Sequence, residues 1–190
     1  MYKPVLKSAD IFFTDNFRIQ SKIVKFLMTA PTLWQYIWRA IRGTQQEVRF
    51  YHAGLIIDQD TMIEQQSDVR IRNTDKIFGK NYIIWRNKKL ADYQRDLIVL
   101  IAKADLGKGY DILLCFGKLF TWLTGIPIFT RWIQAKEKEI CVTRVAKWYK
   151  IGANIDFGKL TWHEITTDII DDYCMAHPEE WEIVSYYLGE

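Results

Sequence analysis

A chain of 190 residues with 49% hydrophobic and 15% aromatic side chains can bury a substantial core, which excludes disorder, and its length points to one domain over 1–190. No run reaches the roughly 18 apolar residues of a membrane span, and MYKPVLKSADIFF is too short and polar for a signal peptide, so a cytoplasmic or virion-associated protein is expected. The net charge of +3 is unevenly spread, with eight Lys/Arg against three Asp/Glu over 1–50, seventeen against eleven over 51–150 and one against nine over 151–190, a basic body suited to an anionic surface.

In chain order, Asp10–Asp15 (DIFFTD) reads as a short strand. Phe17–Ala30 and Leu33–Ile41 read as helices, separated by Pro31-Thr32 and closed at Gly43. They mix Arg18, Lys22, Lys25, Arg39 and Arg42 with Trp34, Tyr36 and Trp38, as helices at a membrane interface do. Strands are expected over Val48–Ile57 and Thr61–Gln66, joined by the polar turn Asp58-Gln59-Asp60, and again at DVRIR and NYIIWRN. Leu90–Leu106 is a helix stopped at Gly107, Asp111–Thr124 a second, and Glu139–Ile151 a third, stopped by Gly152. In LTWHEITTDIIDDY the spacing of Thr161 and Glu164 is that of a capping box, predicting a helix from that point. WEIVSYYL closes the chain as a strand. Strands and helices that do not alternate regularly make this an α+β fold, a small antiparallel sheet packed against helices.

Metal and cofactor signals are missing. His163-Glu164 would need a second histidine four positions after His163 to make a metalloprotease pair, and Thr167 stands there. No metal, no cofactor and no nucleic acid is expected. The three cysteines, Cys115, Cys141 and Cys174, are too few and scattered for a disulfide framework.

Two residues carry chemical promise. In RFYHAGLII, His52 interrupts a strand apolar on both parities, so its imidazole is buried and needs hydrogen-bond partners. Gly54, two positions on, marks a close approach. A three-residue loop at Asp58–Asp60 sets Ile57 opposite Thr61, hence Glu64 opposite Gly54 and Gln66 opposite His52. Glu64 is then diagonal to His52, within reach of a long side chain across a gap that Gly54 leaves open, and Gln66 is the rival. In KEKEICVTRVAKWYKIG, Val142, Val145, Ala146 and Tyr149 form a helical stripe, with Cys141 in the first turn. Unpaired N–H groups and the helix dipole favour a thiolate there. Cys141 as nucleophile, His52 as base and a polar orienter would form a hydrolytic triad.

The ordered set resembles the circularly permuted branch of the papain-like NlpC/P60 superfamily, the YiiX-like subfamily in particular. SADIFF resembles its Gly-Asp strand, with Ala9 for Gly. FYHAGLII resembles its Ser-His-Val-Gly-Ile strand, and MIEQQ supplies the third polar position. ADLGKGYD resembles Leu-Gly-Lys-Pro-Tyr-Asp, with Gly109 for Pro. EICVTRVA resembles the Cys-Ser-Glu-Leu-Val helix, with Val142-Thr143 for Ser-Glu. The resemblance runs from about residue 8 to residue 150, with a long helical insertion at about 17–43. It implies a permuted papain-like fold and a Cys–His–Glu hydrolase of amide bonds, Cys141, His52 and Glu64, acting on peptides such as those of peptidoglycan. A related branch implies the alternative of a lipid acyltransferase or thioesterase at a membrane surface. A binding module that retains the fold without activity is the third expectation.

Overall fold

Apolar residues on both parities of a strand require a sheet covered on both sides. The computed structural model, which describes residues 3–14, 50, 52–78, 81–109, 140–158 and 165–188, contains such a sheet. Its strands are β1 (Ile11–Thr14), β2 (His52–Ile56), β3 (Thr61–Gln65), β4 (Val69–Asn73), β5 (Tyr82–Asn87) and β6 (Trp181–Tyr187). They lie in the order β4-β3-β2-β1-β5-β6, with every neighbouring pair antiparallel. With helices α1 (Asp92–Ala104), α2 (Cys141–Ala153) and α3 (Thr167–Ala176), the fold is α+β. Alternate residues feed separate cores. Ile11, Phe13, Ala53, Leu55, Ile63 and Ile83 join Val142, Val145 and Tyr149 of α2, while Phe12, Ile56, Met62, Tyr82 and Ile84 form a second cluster.

The β2–β3 turn closes as its sequence dictates. Asp58 Oδ1 accepts from the N–H of Asp60 at 2.9 Å and of Thr61 at 2.8 Å, an Asx-type turn. Ile57 N–H donates to Thr61 O at 2.9 Å. The register that follows sets Gly54 opposite Glu64, as the loop length predicts.

Helix boundaries differ from expectation, α1 running over Asp92–Ala104 and not Leu90–Leu106. Gly152 does not stop α2. It is buried in the last turn, where a Cβ would lie 2.5 Å from Ile98 Cγ1 and 3.0 Å from Ile98 backbone, so the glycine permits a close crossing of α1 and α2. The helix ends instead at Asn154, left-handed at φ 57, whose N–H reaches back to Lys150 O and Tyr149 O. α3 begins at Thr167, and the hydroxyl of Thr166 before it accepts from Ile169 N–H, at 3.4 Å. The expected helices at 17–30, 33–41 and 111–124, the Thr161–Glu164 box with His163, and Cys115 lie outside the described residues.

Ala9 takes the conformation a glycine adopts more readily, with φ 61. Its carbonyl accepts from the buried Tyr149 hydroxyl, tying the turn before β1 to α2. Among the described residues no helix is long and apolar enough to cross a membrane.

Candidate active site

β2 and the start of α2 bring the two chemically promising residues together. Cys141 is the first helical residue after Ile140. Thr143 secures that end: its hydroxyl lies 3.0 Å from both the N–H and the carbonyl of Ile140, accepting from one and donating to the other. The first-turn N–H groups of a helix have no partner within it, and here the backbone N–H groups of Ala53 from β2 and of Val142 favour the Cys141 thiolate.

The imidazole of His52 is fully buried. Its Nε2 is 2.8 Å from Glu64 Oε2, across the diagonal that the register creates, and its other side meets the Cys141 thiol. With Glu64 holding Nε2, Nδ1 is the nitrogen left to take the thiol proton. Burial alone pulls the His52 pKa down, since it penalises the cation. The bond to Cys141 and then that to Glu64 outweigh burial and raise the pKa from 6.5 to about 9. For Cys141, burial pushes upward, and the hydrogen bond and charge of His52 overcome it, lowering the thiol below its ordinary value. Both shifts favour a thiolate–imidazolium pair.

Gln66, the rival orienter, accepts instead from Arg72 Nη2 at 3.1 Å. Gly54 acts differently from the expectation of an open path. A Cβ there would fall 2.4 Å from Cε1 and Cζ of Phe12, the residue opposite on β1, and 2.8 Å from Ile63 O. The Phe12 ring fills that space and stands edge-on to the His52 ring, 6.2 Å between centroids at 62°, so the glycine admits the aromatic that backs the imidazole.

A buried polar network fastens the elements carrying the site. Arg144, one turn after Cys141 and 1% exposed, donates from Nε to Gln65 Oε1 at 3.0 Å and from Nη1 to Asp105 Oδ2 at 3.1 Å. Gln65 Nε2 reaches Gly109 O at 2.9 Å. Trp148 Nε1 and Lys108 Nζ also bond Asp105, at 2.9 and 2.5 Å. Burial raises the Asp105 carboxyl, but its partners, Lys108 first, hold it below the usual range. Gln65 is the neighbour of Glu64, so the network locks the strand of the carboxylate to the helix of the thiol. Sequence reading missed these roles. The signal was faint: Arg144 lies three positions after Cys141, on the helical face the thiol shares.

Cys174 is buried, and desolvation, with a contribution from Asp171, drives its thiol well above the ordinary value. Iodoacetamide with peptide mapping is therefore expected to modify Cys141 well ahead of Cys174, because the thiolate is the reacting form. Equal rates at the two positions would contradict the helix-terminus argument.

No protein-family model and no curated protein matches the chain. Among solved structures it is similar to one described as metalloprotein yiiX from Escherichia coli O157:H7, at 14% identity and a TM-score of 0.55, covering 99% of this chain and 100% of that one. The chain thus has a YiiX-like fold. The donor set here does not fit a metal. Among the described residues no group of three or more His, Cys, Asp and Glu is arranged to hold one, and the Glu64 oxygens face His52 and Arg72.

Proposed function

We propose that this chain is a cysteine hydrolase of the papain-like NlpC/P60 type, cleaving amide bonds, with peptidoglycan peptides as the first substrate to test. The supporting observation is a thiol at the first position of α2, facing a buried imidazole whose far nitrogen is 2.8 Å from a buried carboxylate. In this reading His52 Nδ1 takes the thiol proton, and the sulfur attacks the carbonyl carbon. The new C–S bond drives negative charge onto oxygen, beside the N–H groups of the α2 terminus. As the C–N bond breaks, the imidazolium gives its proton to the departing amine. Water then attacks the thioester, passing a proton to Nδ1, and His52 returns that proton to the sulfur as it leaves. Glu64 holds Nε2–H, fixing the tautomer in which Nδ1 accepts.

Turnover of muropeptides and fluorogenic peptide amides, alongside thiolate absorbance at 240 nm as the difference between the unaltered protein and Cys141→Ser, tests the proposal. A Cys141 that titrates as an ordinary thiol, with no turnover, would favour a binding module instead. Glu64→Gln should be milder than Glu64→Ala. The amide oxygen still accepts from Nε2–H and keeps the ring oriented, losing only the charge, whereas alanine frees the ring. Losses of about tenfold for Gln and a hundredfold or more for Ala are expected in kcat/KM. Equal losses would remove Glu64 from its orienting role.

A further inference from the structure

A buried carboxylate beside an imidazole faces a problem during turnover, because the ring alternates between neutral and cationic. When the ring is neutral the carboxylate has no counter-charge from it, and uncompensated buried charge is costly. Glu64 has a second neighbour. Glu64 pairs with Arg70 across β3 and β4, and Met62 with Arg72, so Arg72 stands diagonal to Glu64 just as Glu64 stands diagonal to His52. Arg72 Nε lies 2.9 Å from Glu64 Oε1, on the carboxylate oxygen turned away from His52. The contact is an ion pair and not an aligned hydrogen bond. Nη2 is fixed by Gln66 Oε1 at 3.1 Å. The directly opposed Arg70 is engaged elsewhere, with Ser67 and Asp68.

We propose that Arg72 is a positioning residue of the site, holding Oε1 of Glu64 so that Oε2 stays aimed at His52 Nε2 in both charge states of the ring. The inference rests on the hydrolase reading above. An arginine is always charged, so Glu64 keeps a counter-ion when the imidazole is neutral. The charged groups bearing on the carboxylate are His52 from β2 and Arg72 and Arg70 from β4, with Asp68 beside both arginines and Cys141 on the far side of the imidazole. Removing a cation from this group makes proton loss harder for its neighbours, so both the Cys141 and the His52 titrations move upward.

Histidine-labelled protein titrated by NMR reads His52 directly, and the 240 nm difference reads Cys141, neither needing a substrate. Arg72→Gln is expected to raise both by about half a pH unit or more, while Arg72→Lys, which keeps the charge, leaves them close to the unaltered protein. Arg72 is 31% exposed on the outer strand of the sheet formed by the described residues, so the fold should persist. If Arg72→Gln does not fold, Arg72→Met makes the same charge change. Unmoved titrations in a folded neutral variant, or an equal shift in Arg72→Lys, would overturn the role of Arg72 alone. If the unaltered protein already shows an ordinary imidazole and an ordinary thiol, the hydrolase reading falls and Arg72 falls with it.

Discussion

Replacing Cys141 by alanine is expected to lower kcat/KM by about ten-thousand-fold, with the fold intact. The thiol is small, and its removal leaves His52 and Glu64 paired. Losing His52 should cost as much in rate, but alanine is the harsher choice there. The ring is fully buried against Phe12, so His52→Ala empties volume and strips Glu64 of a partner. His52→Gln preserves more packing and is the cleaner companion, judged by its melting temperature. In the proposed mechanism nucleophile and base act as a unit, so the Cys141→Ala/His52→Gln double variant should be scarcely slower than either single one. Losses that simply add in log rate would show that the two residues do not share a mechanism.

The pH dependence follows from the same pair. The His52 pKa is raised, so the stability its charge contributes is complete below about 6.5 and is lost as pH climbs through about 9. The Cys141 pKa is lowered, so the thiolate contributes fully above the ordinary value of 9.0 and is lost as pH falls through its folded value. The ion pair therefore occupies the window between the lowered thiol limb and about 9. Activity should form a plateau there and fall on both sides, with the two limbs belonging to the pair as a whole.

What the sequence disclosed, and what it hid, divides along local and non-local physics. The diagonal of His52 and Glu64 could be computed from a loop of three residues, because strand register propagates rigidly from a turn. Cys141 at a helix start could be read from the charged lead-in and the apolar stripe behind it. Gly152 misled because a glycine that ends a helix and one that lets two helices touch look alike in one dimension, and only the position of Ile98 separates them. Arg144, Asp105, Gln65 and Gly109 come from three separate stretches of chain, and nothing local announces that they meet.

Gly54→Ala should be the most damaging single-methyl change in the described part of the sheet. The added carbon would meet Phe12 Cε1 and Cζ at 2.4 Å and Ile63 O at 2.8 Å. The first conflict calls for the ring to move, but Phe12 is fully buried and backs His52. The second is with backbone and can be relieved only by parting β2 from β3, the two strands that carry His52 and Glu64. Overpacking of this kind costs about 3 kcal/mol, which in a domain of this size lowers the melting temperature by about 6–12 °C. Activity should fall further than stability explains, since either way of relieving the clash changes the His52–Glu64 distance. Phe12→Leu combined with Gly54→Ala separates the two conflicts. If the ring is the main obstacle, the double variant is more stable than the sum of the single losses predicts, by about 1 kcal/mol or more. If the Ile63 carbonyl dominates, the losses add. A Gly54→Ala protein that melts and titrates like the unaltered one would mean that β2 lies farther from Phe12 than these distances state, and the edge-on packing of the imidazole would have to be abandoned with it.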